Sequence, residues 1–170
     1  MRPEKNTYPE YYENYIPLVT QPDVKSAFIE NEKETLALLA DVTPNLENYA
    51  YADQKWTIKE VLNHIIDTER IFAYRALRFA RNDAQQPLPY DENEYIKHVD
   101  LSHRDLNNLI NEFRSVRAAS ITLFESFTET ELLRIGNTAG GKCSVLAIGY
   151  TICGHAKHHL HVIRERYLKK

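Results

Sequence analysis

Two stretches of the chain repeat apolar residues at helical spacing. Ile58, Val61, Leu62, Ile65 and Ile66 recur at intervals of three and four, and so do Leu106, Leu109, Ile110, Phe113, Val116 and Ile121. Residues so spaced share one face of an α-helix. Each stripe follows a start signal. In "TIKE", 57 to 60, Thr57 and Glu60 can form a reciprocal capping box, which predicts a helix to about Arg81. "SHRD", 102 to 105, opens the second stripe, which should run to about Phe127. "TQPD", 20 to 23, reads as another start, with Thr20 as cap and Pro22 in the first turn, and predicts a helix to about Asp41. "TETE", 128 to 131, should cap a short turn of helix, and a last helix is expected from Ser144 to Leu168.

Three segments lack that period. "YPEYYENYIPLV" near the start reads as an extended arm laid over the body, its aromatics packing rather than reacting. "NDAQQPLPYDENEYIKHVD", 82 to 100, is longer than a usual connection between helices, and loops of this size are often functional. "GNTAGGKCS", 136 to 144, is glycine-rich and predicts a flexible or tightly turned loop. Four long amphipathic helices, almost no period-two alternation and no internal repeat argue for one all-α domain over 1–170. The expected architecture is an up-down four-helix bundle with an N-terminal arm and a long loop between its second and third helices.

Composition removes several classes of function. The 170 residues carry a formal charge of −3 with acids and bases interspersed, so there is no basic field to draw in a phosphate backbone. No stretch has the apolar length of a membrane span, and "MRPEKNTYPEYY" lacks the apolar core of a secretory signal, so a cytoplasmic protein is expected. Cys143 and Cys153, ten residues apart, are too distant along a helix for a disulfide and are expected to be reduced.

The chemistry is concentrated in "GHAKHHLHVI", 154 to 163, which holds four of the chain's seven histidines. His155 and His159 stand at i and i+4, which stacks two imidazoles on one face about 6 Å apart and suits convergence on one ion. His158 shares part of that face and His161 points away. Alternatively, adjacent histidines near a basic end simply form a solvated face. A third ligand would have to come from elsewhere, and His64 is the best candidate, because it lies inside the apolar pattern of its helix; a core histidine bonded to Asp67 is the plainer reading. His98 and His103 have weaker claims. A thermolysin-like site needs Glu after the first histidine of the pair, where Ala156 stands, and no Glu precedes a His by three as a ferritin-like di-iron bundle requires. A mononuclear three-histidine site with open positions survives both tests.

Three segments together resemble a known family. "QKWTIKEVLNHIIDTERIFAYRALRFA", 54 to 80, is similar to the second helix of the DinB-like families, close to the YfiT branch; "GHAKHHLHVI" resembles their final helix; and "PLPYDENEYI", 87 to 96, is similar to that branch's loop. The resemblance implies a four-helix bundle, commonly a homodimer, that holds one divalent ion, zinc or nickel, through His64, His155 and His159. Its members include metal-dependent hydrolases and transferases of low-molecular-weight thiols.

The expectation is an enzyme whose ion activates water or a thiol against a small-molecule substrate. Asp67, one turn beyond His64, could take a proton from a ligand ring or from the nucleophile, or could be an ordinary salt bridge. Tyr90, Asp91 and Glu92 could cover the mouth of the site, and Asp91 could be a fourth ligand. Of Arg70, Arg75, Arg78 and Arg81, at most two could meet an anionic substrate together, and salt bridges with local acids are the simpler expectation; Lys157 and His158 flank the ligands and could bind a carboxylate, though a structural role is the simpler expectation. The alternative to catalysis is a bundle, dimeric and non-catalytic, that the ion only staples.

Overall fold

The computed structural model describes residues 1–169. Its helices are α1 (Val24–Ala40), α2 (Ile58–Ala80), α3 (Glu92–His98), α4 (Leu106–Glu125), α5 (Glu129–Leu132) and α6 (Val145–Ile163), the last running on into a π-helical turn at Arg164–Leu168. The capping signals act where side-chain oxygens can reach the free N–H groups of a first turn. Thr57 and Glu60 make the expected box, with Glu60 N–H donating to Thr57 Oγ1 at 3.2 Å and Thr57 N–H donating to Glu60 Oε2 at 2.6 Å. Thr128 and Glu131 make another. In "TQPD", however, Asp23 and not Thr20 is the cap: its carboxylate accepts from Ser26 N–H at 2.8 Å, and Pro22 precedes the helix.

The four long helices form the expected bundle, but not with simple alternation of direction. Lys59 reaches the Arg104 carbonyl, Glu69 meets Arg117 and Arg81 meets Glu131, so positions rise together along α2 and α4 and these helices are parallel. Phe28 packs on Phe124 while Glu47 accepts from Leu106 N–H, so α1 and α4 are antiparallel. Val24 faces Gly149 and Glu34 pairs with Lys157, which makes α1 and α6 parallel. The order is therefore up, down, down, up. The physical reason lies in residues 81–105, which carry the chain back along the bundle before α4 begins. That segment is not all loop, since Asp91 caps α3 within it.

Two further segments depart from expectation. "GNTAGGKCS" folds as an antiparallel hairpin, β1 (Ile135–Thr138) against β2 (Gly141–Ser144), closed by Ala139 and Gly140. Gly136 has no room for a side chain, since a Cβ there would stand 2.1 Å from the Phe79 ring. The N-terminal arm is a chain of 3₁₀ turns, Lys5–Thr7, Glu10–Asn14 and Ile16–Leu18, rather than an extended strip. It buries Tyr12, Ile16 and Val19 against the bundle.

The stripes read from the sequence form the interior: Ile58, Leu62, Ile65 and Ile66 of α2 pack with Leu109 and Phe113 of α4 and Ile163 of α6. Burying each such side chain contributes roughly 1.5–3 kcal/mol. This holds α2 firmly against α6, and the metal-type residues sit on those two helices. Cys143 in β2 and Cys153 in α6 are both free and buried. No helix among the described residues is long and apolar enough to cross a membrane.

Candidate metal centre

His64 projects from the first half of α2 and His155 and His159 from the second half of α6, and the antiparallel packing of these helices brings the three together. His64 Nε2 lies 2.9 Å from His155 Nε2, and His159 Nε2 lies 3.1 Å from it. With metal–nitrogen bonds of about 2.05 Å at tetrahedral angles, donor atoms stand about 3.3 Å apart. The observed spacing is close to that edge. Hydrogen bonding alone does not account for it. A neutral ring nitrogen carries one N–H or one lone pair, so His155 Nε2 satisfies at most one of its two neighbours.

Electrostatics point the same way. Burial pushes His64 down to about 4 and His159 down to about 3, the latter helped by the charges of His64 and His158. His155 is pushed well below its ordinary value, by burial first and then by His159 and His64. All three rings are neutral near pH 7, with lone pairs available. The donor set therefore fits a divalent metal ion.

Packing fixes the rings. The Trp56 ring lies 4.9 Å from that of His64, and Tyr15 sits edge-on to His155 at 5.5 Å and to His158 at 5.7 Å. The arm can bring Tyr15 so close because residue 154 is glycine: a Cβ there would stand 2.2 Å from the Tyr15 carbonyl oxygen. Behind His64, the Thr68 hydroxyl lies 3.4 Å from Nδ1 and 3.3 Å from the Tyr90 hydroxyl, so a ring ligating through Nε2 finds an acceptor for its Nδ1–H.

The cluster opens into a cavity of about 410 Å³, walled by Tyr12, Tyr15, Trp56, Phe72 and Tyr90 and extending to Arg75. Tyr90 and Glu92 reach this cavity, as the long connection suggested. Asp91 does not line it; its carboxylate is taken up in capping α3, accepting from Asn93 and Glu94 N–H. Asp67 also lies outside the lining. Its carboxylate accepts from Asn63 Nδ2 at 2.7 Å and stands 3.7 Å from Arg70, so it is the ordinary polar contact and the position behind His64 belongs to Thr68. His158 borders the cavity beside Tyr15, whereas His98, His103 and His161 are exposed and apart from the cluster.

Sequence reasoning missed Trp56, Thr68, Phe72 and Tyr15 as site residues. Thr68 and Phe72 follow His64 at i+4 and i+8, and that signal was available. Tyr15 left none, because its contact depends on where the arm crosses α6.

Comparison with known proteins agrees with this architecture. A profile described as the DinB superfamily matches residues 27–163. A protein of Geobacillus thermodenitrificans strain NG80-2 named "Putative metal-dependent hydrolase" is 27% identical over 127 residues, covering 72% of this chain and 70% of its own. Among solved structures, YfiT from Bacillus subtilis, described as "a probable metal-dependent hydrolase with an unusual four-helix bundle topology", superposes with a TM-score of 0.74 at 16% identity, over 97% of this chain and 90% of that one. The DinB-like protein YjoA of the same organism gives 0.58 at 18% identity, over 84% and 90%. Both likenesses concern the fold.

Proposed function

The chain belongs to the DinB superfamily, and on that premise we propose that His64, His155 and His159 hold one divalent ion, zinc or nickel, in an enzyme that turns water or a small thiol on a small-molecule electrophile. The observation that carries this reading is the convergence of three neutral Nε2 atoms, at 2.9 and 3.1 Å, from two buried rings and one half-buried ring that line an open cavity. An ion held by three imidazoles keeps open positions and brings the pKa of a water or thiol placed there toward neutrality.

The protein's own groups supply the rest. Thr68 holds His64 in one tautomer by accepting from its Nδ1–H and donates onward to the Tyr90 hydroxyl. Trp56 and Tyr15 prevent the rings from turning, and with Phe72 they exclude bulk water from one wall of the cavity. The cavity itself favours catalysis over stapling, since a structural site is normally closed by four protein ligands. The names of the relatives favour hydrolysis; thiol transfer differs only in the nucleophile that enters.

Protein loaded with zinc or nickel is assayed on aryl esters and amides, and separately on coupling of a small thiol to an electrophile. A metal-dependent rate in either assay, lost in His155→Ala/His159→Ala, supports catalysis. A fully loaded protein that accelerates neither contradicts it.

A further inference from the structure

Three arginines lie on α2 and a fourth, Arg81, is its C-cap; of the four, Arg70 is tied to Glu112, Arg78 to Asp83 and Arg81 to Glu131. Arg75 forms no ion pair among the described residues. It is half-buried, lines the same cavity as the three histidines, and is held there by two contacts. Its Nη2 donates to the Leu88 carbonyl at 2.9 Å, and its guanidinium lies 5.3 Å from the centre of the Phe72 ring. The other N–H groups of the fork have no acceptor among the described residues. A fixed guanidinium with free donors in a largely aromatic cavity is a ready donor to a planar oxyanion.

Its place relative to the histidines gives the ligand a shape. His64, Thr68, Phe72 and Arg75 follow one another at i, i+4, i+8 and i+11, so all four stand on one side of α2. Eleven residues of helix rise about 16 Å. Between the two ends the wall is Phe72, Tyr12, Tyr15 and Ile152. Glu92, the acid in the lining, adds to the rise that burial chiefly imposes on the Tyr15 and Tyr90 hydroxyls, which puts it toward the histidine end. One unopposed cation matches one negative charge, which suits a carboxylate better than a phosphate dianion.

We propose that Arg75 anchors the carboxylate of an elongated substrate with an apolar or aromatic body, whose reacting group lies at the three histidines. The second half of this statement rests on the metal-site reading above; the anchor itself does not. Arg75 is thus a specificity-determining residue that selects anionic over neutral substrates.

Trp56, the chain's one tryptophan, lines the cavity and reports occupancy by fluorescence. The probes are 6-phenylhexanoate and its uncharged primary amide, titrated into metal-loaded protein and into protein stripped by chelator. Charge-assisted hydrogen bonds predict that the acid binds about tenfold or more tightly than the amide in the stripped protein. That ratio should fall to near one in Arg75→Gln and be partly kept in Arg75→Lys. Equal affinity for acid and amide in stripped wild type overturns the proposal, whether or not a variant folds. An acid preference that appears only with metal and persists in Arg75→Gln also overturns it, while leaving the metal site standing. An acid preference that needs Arg75 in a protein that takes up no metal upholds the anchor and removes the metal reading instead.

Discussion

The molecule buries two polar clusters between its helices and treats them oppositely. In the middle of the bundle Arg117 of α4, fully buried, forks onto Glu69 of α2, with Nε–Oε1 at 2.9 Å and Nη2–Oε2 at 2.8 Å. Its Nη1 donates to Asn31 Oδ1 and to the Phe28 carbonyl, and the rings of Phe28 and Phe113 lie against the guanidinium. Burial opposes the charge on Arg117, but Glu69 more than offsets it and the guanidinium stays protonated. Within this cluster Asn31 Nδ2 alone lacks a partner. The histidine cluster, between α2 and α6, is the reverse: neutral, held by packing, with lone pairs converging on one point and a cavity leading to it. A buried polar cluster that satisfies itself is architecture. One that leaves its acceptors aimed at a common point is a binding site.

Removing one partner should separate the two most sharply. Arg117→Met leaves Glu69 charged and buried without its cation, and should cost about 3–5 kcal/mol in urea unfolding. Adding Glu69→Leu should restore part of that loss, since replacing both partners avoids the stranded charge. Metal uptake should survive in whatever fraction folds.

The corresponding change at the histidines should show the opposite pattern. In the metal-free protein, His64→Ala removes a neutral ring and should shift stability far less than Arg117→Met. What it should abolish is stabilisation by metal, which for the wild type amounts to about 2.7–4 kcal/mol at one hundred to one thousand times the dissociation constant. Melting curves with and without excess zinc check both halves.

Acid should distinguish the clusters next. His64 and His159 have folded pKa values of about 4 and about 3, below the unfolded value of 6.5. The unfolded chain therefore binds more protons as pH falls, and metal-free stability should be full above about 6.5 and decline from there through about 4 to about 3. In the double variant His64→Ala/His159→Ala that part of the decline should flatten. An unchanged slope between pH 6.5 and 4 would contradict the placement of these rings.

The smallest expected effect concerns the arm. Gly154→Ala pushes a methyl group into the Tyr15 carbonyl and should cost about 1–3 kcal/mol while loosening the arm over His155. Faster proteolysis within residues 5–18, with the bundle intact, would show it; unchanged protection would mean that the arm does not depend on this glycine.

The same contrast explains what the sequence made legible. The histidine pair is local, two residues one turn apart on one helix, and the capping boxes at Thr57–Glu60 and Thr128–Glu131 are local too. Such signals survive without knowledge of the fold. His64 could be joined to the pair only through its apolar surroundings and the resemblance of the whole segment. Arg117 and Glu69 lie 48 residues apart on separate helices, and nothing near either marks the other. The parallel run of α4 beside α2 depends on the path of residues 81–105, and a length of connection does not state a direction. Asp67 shows the limit of helical spacing. Spacing placed it one residue short of the position Thr68 occupies, and that step turned its carboxylate to Asn63 and Arg70.

Whether the three converging nitrogens hold an ion is decided by elemental analysis of untagged protein equilibrated with zinc or nickel and then desalted, beside His155→Ala/His159→Ala treated identically. Close to one ion per chain is expected in the wild type and none in the variant. A wild type that retains no ion, or a variant that retains as much, would contradict a metal site at these histidines.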